Sequence, residues 1–136
     1  MIVDVDDFKE VNDKFGHIAG DEALQYLAGQ MQHLFRRGDV IGRIGGDEFM
    51  VFLKNISDEE MVISRAADIC AAARGAKSEW NLACTVGVSR FPQDGKSFEA
   101  LYAKADLALY RAKGSGKNRL RLYTGEEEND MNGGAT

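Results

Sequence analysis

The sequence predicts an α+β domain, a mainly antiparallel sheet covered by helices in an α/β sandwich. Three observations predict it. Short runs rich in β-branched and aromatic residues alternate with longer segments of helical apolar spacing. A glycine-rich turn joins two of the short runs as a hairpin. The element order (strand, helix, helix, hairpin, helix, strand, helix, strand) lacks the regular βαβ repeat of a doubly wound sheet.

Each element has a local reason. Met1 to Val5 reads as a strand that begins abruptly. Phe8, Val11 and Phe15 recur at helical spacing, and Gly16 stands where a helix C-terminus favours glycine. A polar turn from His17 to Gly20 follows. Asp21 is then placed to cap a long helix whose buried stripe is Leu24, Leu27, Ala28, Met31, Leu34 and Phe35. Val40 to Ile44 and Phe49 to Leu53 are strands, joined through Gly45, Gly46, Asp47 and Glu48, with both glycines free to take positive φ. Ser57 and Glu60 form a capping box for a helix ending near Arg74. Leu82 to Arg90 is a strand, Phe91 to Gly95 a turn, and Ser97 the cap of a helix with Leu101, Ala105, Ala108, Leu109 and Ala112 on its apolar face. Gly114 to Gly116 ends that helix, and Arg119 to Tyr123 is the last strand.

The 136 residues suit one domain, placed at 1–124. Residues 125–136 are acidic, rich in Gly and Asn and nearly without apolar side chains, which predicts a disordered tail. A net charge of −5 excludes a general nucleic-acid binder, whose phosphate contacts require a basic surface. Nucleotide binding stays open, because a metal ion can bridge carboxylates to phosphates. No apolar run reaches bilayer-spanning length and no leader is visible, so the chain reads as soluble and cytoplasmic, compatible with a membrane-anchored parent. Cys70 and Cys84 lie in apolar surroundings without metal-ligand spacing and read as reduced core residues.

Chemistry concentrates at two places. Asp4, Asp6 and Asp7 end the first strand, and Asp47 and Glu48 sit at the hairpin tip. Alternation along a strand puts Asp4 and Asp6 on one face. Should the hairpin lie beside the first strand, the acids meet, and a hard divalent cation relieves their repulsion. Solvated carboxylates at strand ends are the plainer alternative. Helix starts after Asp7 and after Gly20 offer free N–H groups to phosphate or a base edge. Asn12, Asp21, Lys113 and Lys117 each also have a plain explanation, as helix surface, N-cap and C-terminal dipole partners. It is their joint occurrence that points to a ligand.

Gly45-Gly46-Asp47-Glu48-Phe49 spells GGDEF, and here the sequence resembles the diguanylate cyclase family. Arg43, the run Asp4-Val5-Asp6-Asp7-Phe8-Lys9 with Asn12-Asp13, and Gly16-His17 with Gly20-Asp21 are similar to that family. So are Thr85-Val86-Gly87-Val88-Ser89, Ala105-Asp106 with Ala108-Leu109-Tyr110 and Ala112-Lys113, and Gly116-Lys117-Asn118. The likeness runs from Met1 to about Tyr123. It implies a fold like nucleotidyl cyclases and polymerase palms, and two Mg²⁺ or Mn²⁺ ions held by Asp4, the Val5 carbonyl, Asp47 and Glu48. Asp47 would also help deprotonate the attacking hydroxyl. Asn12 and Asp21 would read guanine, while the backbone at Asp7 and Phe8, with Lys9, Lys113 and Lys117, would hold phosphates. Lys117 stands where many relatives have Arg and lacks its bidentate fork.

The resemblance implies condensation of two GTP into cyclic di-GMP by an antiparallel, transient homodimer, since one domain holds one GTP. Arg36-Arg37-Gly38-Asp39 fits an RxxD pattern five residues before GGDEF in product-inhibited members, which makes Arg36 and Asp39 an inhibitory cyclic di-GMP site. Members usually carry a preceding segment with an Asp-x-Leu-Thr-x-Leu-x-Asn-Arg motif. This sequence starts inside the first strand, and the likeness implies an upstream sensor in a parent protein. Two other readings stay open: a non-catalytic module sensing cyclic di-GMP or GTP, and a dimerising scaffold without nucleotide affinity.

Overall fold

The computed structural model describes residues 1–133. Five strands form one sheet in the order β2-β3-β1-β4-β5, with β1 at Ile2–Val5, β2 at Val40–Arg43, β3 at Glu48–Phe52, β4 at Cys84–Val88 and β5 at Leu120–Leu122. The helices are α1 Phe8–Phe15, α2 His17–Leu34, α3 Glu59–Arg74, α4 Phe98–Gly114 and α5 Glu126–Gly133. The α+β architecture agrees with the sequence. The sheet is mixed: β1 pairs antiparallel with β3 and β4, and β2 antiparallel with β3, but β5 runs parallel to β4. The cause is α4, which returns the chain to the same end of the sheet, as a helical crossover does.

Alternation along the strands divides two layers. Val3, Val5, Phe49, Val51, Cys84, Val86 and Val88 join Leu24, Leu27 and Met31 of α2 and Ile69 and Ala73 of α3 in the large core cluster. Leu27, Met31 and Ile69 are fully buried, and truncating any one to Ala costs about 2–5 kcal/mol. On the other face Ile2 packs with Ala105 and Leu109 of α4. A Cβ at Gly87 would lie 2.1 Å from the Ala105 carbonyl oxygen and 2.6 Å from the Leu109 nitrogen. Only a bare residue lets α4 lie directly on β4, and that contact fixes where the end of α4 points. Cys70 and Cys84 are free, buried thiols.

Several local expectations are corrected. The chain turns at Gly16 (φ 90°) and re-enters a helix at once, so His17 to Gly20 are the first turn of α2 and Asp21 is not its cap. Gly20 is helical and buried because it faces α1, not because it turns. Asp58, not Ser57, caps α3, its carboxylate accepting the Glu60 N–H at 2.9 Å. Ser97 caps α4 as anticipated, accepting the Ala100 N–H at 3.1 Å. Neither Gly45 nor Gly46 has a positive φ.

The acidic tail, read as disordered, forms α5. Its Glu127 is buried and accepts from Arg121 Nε at 2.9 Å and from the Thr124 and Gly125 N–H groups at 3.2 and 3.0 Å. Composition alone misses such a clasp, since one satisfied carboxylate anchors an otherwise polar segment. Residues 134–136 of that tail lie outside the described residues.

Candidate active site

Pairing of β1 with β3 sets Asp4 directly opposite Glu48. The hairpin is tied to the end of β1 by the Val5 N–H, which donates to the Asp47 carbonyl at 3.0 Å. Its own tip closes through the Ile44 N–H to the Glu48 carbonyl at 2.9 Å. Arg43 braces it from the side, Nε donating to the Gly45 carbonyl at 3.1 Å and Nη2 to that of Gly46 at 2.7 Å. The sequence reading gives Arg43 no site role, although its position two residues before the glycines is the available signal.

Asp4, Glu48 and Thr85 share a row across three strands, on the side covered by α4. From the last turn of α4, Lys113 donates to the Asp4 carboxylate. Burial, and then the charges of Asp4 and Asp106, hold the Glu48 carboxyl above the usual carboxylate range. Burial and the charges of Glu48 and Asp106 likewise raise the Tyr102 phenol. A carboxyl whose pKa is raised by burial and by neighbouring like charge is a common mark of a functional site.

Asp4 and Glu48 are hard oxygen donors, and directly opposed residues of an antiparallel pair carry Cβ atoms about 4.5–5.5 Å apart. Asp47 does not complete a three-carboxylate cage: among the described residues no three His, Cys, Asp or Glu side chains are grouped to hold a metal ion. Asp47 lies in the hairpin bend, outside β3, which begins at Glu48. Two carboxylates still fit Mg²⁺, which binds through one or two carboxylates together with substrate phosphates rather than in an all-protein cage. The donor set therefore suits a metal–nucleotide complex better than a resident structural ion.

Beyond Asp4 the chain turns into α1. Asp6 accepts from Thr85 Oγ1 at 2.6 Å and from the Asn118 N–H at 2.8 Å. Asp7 takes the left-handed conformation (φ 51°) at the N-cap position without capping α1 through its side chain. Its carboxylate instead pairs with Lys117 at 2.7 Å. Gly116, Lys117 and Asn118 are three consecutive positive-φ residues, at 119°, 60° and 48°. Non-glycine residues there are held only by a surrounding structure that over-determines them. Asp6 and Thr85 supply that restraint. The sequence reading counts Asp6 with the acidic cluster and Thr85 with a family-like run, and only the three-dimensional pairing joins them to Asn118.

Phe8 is partly buried against the core, and Lys9 is exposed on α1. Asn12 leans on α2 so closely that a Cβ at Gly20 would lie 1.9 Å from its Oδ1. Asp21, next to Gly20, is exposed. The two residues assigned to guanine thus flank one bare helical position.

Arg36 and Asp39 lie apart, at the end of α2. Asp39 accepts the Arg36 N–H at 2.9 Å and the Lys54 N–H at 3.1 Å. Burial would raise its pKa, but those amides and the Arg36 charge outweigh it and hold the carboxyl below the usual range. Its side chain is 3% exposed while that of Arg36 is 57% exposed. The guanidinium is the more exposed partner, with its Nη2 donating to the Lys54 carbonyl at 2.5 Å.

A cavity of about 620 Å³ lies at the opposite end of β1, lined by Met1, Ile2, Leu53, Val62, Phe91 and Phe98 among others, and includes none of these acids. Among the described residues no helix is long and apolar enough to cross a membrane.

Fold and site together define an α+β domain of the GGDEF type. The structure superposes on the GGDEF domain of TpbB (YfiN) from Pseudomonas aeruginosa with a TM-score of 0.89 at 30% identity, covering 96% of this chain and 79% of that one. It matches the active GGEEF domain of a diguanylate cyclase from Vibrio cholerae with a TM-score of 0.83 at 32% identity, covering 90% of this chain and 80% of that one. The family model "Diguanylate cyclase, GGDEF domain" matches residues 1–119, and the chain belongs to that family. Among curated relatives, diguanylate cyclase DgcP of Pseudomonas aeruginosa is 38% identical over 125 residues, which cover 89% of this chain and 18% of that protein. Probable diguanylate cyclase DgcC of Escherichia coli is also 38% identical over 125 residues, covering 90% of this chain and 34% of that protein. The chain thus spans about a third or less of these relatives' lengths.

Proposed function

We propose that this domain is a diguanylate cyclase, joining two GTP into cyclic di-GMP and two pyrophosphates. In each half-reaction a 3′-hydroxyl oxygen forms a bond to the α-phosphorus of the facing GTP. The bond from that phosphorus to the bridging oxygen breaks, and pyrophosphate leaves with the electron pair. When bound, Mg²⁺ or Mn²⁺ would supply charge neutralisation of the triphosphate and a lowered hydroxyl pKa. Asp4, Glu48 and the Val5 carbonyl are the groups proposed to hold it. Asp47 at the hairpin tip is the proposed acceptor of the hydroxyl proton.

The remaining residues bind and orient. Lys9, Lys113 and Lys117, with the backbone at Asp7 and Phe8, hold phosphates. Asn12 and Asp21 select guanine, because a carboxylate accepts from the N1–H and exocyclic amine that adenine does not pair in this way. One domain carries one substrate, so the working unit is an antiparallel homodimer formed transiently, in the cytoplasm where GTP is found, under an upstream sensor of the parent protein. Arg36, with Asp39 shaping its turn, receives cyclic di-GMP as inhibitor.

The observation that carries this reading is the Asp4–Glu48 pairing with Lys113 beside it. Incubation with GTP and Mg²⁺ or Mn²⁺, followed by separation of the nucleotides, tests it. Cyclic di-GMP from the parent chain and none from Glu48→Ala supports the enzyme. Stabilisation by nucleotide without product would instead favour a sensing module, which the paired Asp39 and exposed Arg36 keep in view.

A further inference from the structure

Two lysines from the end of α4 and the loop after it lie on two acids at the end of β1. Lys113 donates to Asp4, and Lys117 to Asp7 at 2.7 Å. Both pairs bridge more than a hundred residues of chain, with separations of 109 and 110. They pair two acids of that edge within the protein itself. Of the two, Lys113 and Asp4 are the more enclosed, at 38% and 14% exposed. Asp4 also stands opposite Glu48, so losing its ammonium partner leaves two carboxylates facing each other.

We propose that Lys113 is the resident counter-ion of Asp4 and exchanges partners in one step, giving Asp4 to a divalent cation and its own ammonium to a triphosphate. This rests on the nucleotide reading above. A cation arriving alone must take Asp4 and strand the Lys113 ammonium beside a second positive charge. A triphosphate arriving alone takes Lys113 and leaves Asp4 and Glu48 uncompensated next to its own negative charge. Arriving together, the two satisfy every group, since removing one partner of a half-buried pair is costly unless another replaces it. Cation and triphosphate therefore promote each other's binding through Lys113, by the same factor in both directions. An ordinary helix-end ion pair predicts no such coupling.

Titration of Mn²⁺ into the full chain, read by the loss of the free-ion magnetic resonance signal, tests this without turnover. It is run alone and with a GTP analogue whose α–β bridge is methylene, corrected for Mn²⁺ held by the analogue in solution. The wild type should bind Mn²⁺ weakly alone and roughly tenfold or more tightly with the analogue, within the usual range of coupling. Lys113→Met should bind Mn²⁺ alone about tenfold more tightly than wild type and lose most of the analogue's enhancement. Lys113→Arg, which keeps the charge, should resemble wild type with Mn²⁺ alone. A Lys113→Met chain that binds Mn²⁺ no better than wild type, while the analogue still enhances binding, overturns the exchange and leaves the cyclase reading intact. No Mn²⁺ or analogue binding by any variant sinks both.

Discussion

Asp4 and Glu48 face each other across the β1–β3 pair, one on the strand that opens the chain and the other on the hairpin arm that follows its glycines. Burial of Glu48 and the charge of Asp4 opposite it both oppose ionisation of Glu48.

Glu48 has its pKa raised, first by burial and then by Asp4. Between the unfolded and folded values the native chain binds more protons, so stability from this group is complete below the ordinary carboxylate pKa and is lost as pH rises through the folded one. Glu48→Gln should therefore abolish product yet stabilise the metal-free protein at pH 7 by about 0.5–2 kcal/mol, the range typical of relieved charge strain. The gain should fade below about pH 4. Urea midpoints across pH measure it, and an equal gain at every pH would contradict the assigned cause.

Glu127 behaves with the opposite sign. Burial opposes its charge, but Arg121 and the backbone amides of its turn prevail and depress its pKa. Its contribution is present above the ordinary carboxylate value and is lost as pH falls through the folded one. Glu127→Gln should cost about 1–3 kcal/mol at pH 7, the usual toll of breaking a charged hydrogen-bond network. The difference from wild type should narrow on acidification. Circular dichroism melts at pH 7 and pH 3.5 would check it.

Gly20→Ala puts a methyl where Asn12 Oδ1 now sits, 1.9 Å from the ideal Cβ. Ala favours the helix by about 1 kcal/mol over Gly, so the fold should survive while Asn12 is displaced. GTP affinity should drop about tenfold or more, the worth of one good hydrogen bond to a buried edge. Calorimetric titration with the methylene analogue reads this, and unchanged affinity would remove Asn12 from the base site.

Arg43 holds the Gly45 and Gly46 carbonyls with two donors of one guanidinium. Arg43→Ala should leave the melting temperature within a few degrees, because both bonds are exposed. It should lower turnover about a hundredfold by letting the tip drift. Arg43→Lys keeps the charge without the fork and should recover little. Full activity in either variant would show that the tip stays in place without the brace.

Arg36 is the exposed half of its pair with Asp39. Arg36→Ala should weaken cyclic di-GMP binding about 10–100-fold, as loss of a charge-assisted contact does. Equilibrium dialysis with labelled ligand measures it. Unchanged binding would assign the Arg36 to Asp39 turn to structure alone.

Much of this was legible in the residues. Ser97 as a cap, the hairpin around Gly45 and Gly46, and the apolar faces of α2 and α4 follow from chemistry within a few positions of each other. Where local reading failed, a distant partner had overridden it. Gly20 looked like a turn residue, but it is helical because α1 presses Asn12 against it. The acidic tail looked unable to order, but Glu127 found Arg121. Asp6 looked like a member of the acidic cluster at the strand end, but it bonds Thr85 and Asn118, 79 and 112 residues away.

The sequence by itself determined most of the strands and helices, the acidic strand end, the acidic hairpin tip and the lysines near the last helix end, because periodicity and turn chemistry act over a handful of bonds. Only the tertiary structure decided that Glu48 falls opposite Asp4, that β5 lies parallel beside β4, and that Lys113 reaches back across 109 residues to a carboxylate. Register is set by which apolar faces can be buried together, and a slip of one residue would turn Asp4 to the other side of the sheet. That choice is made by the whole core at once.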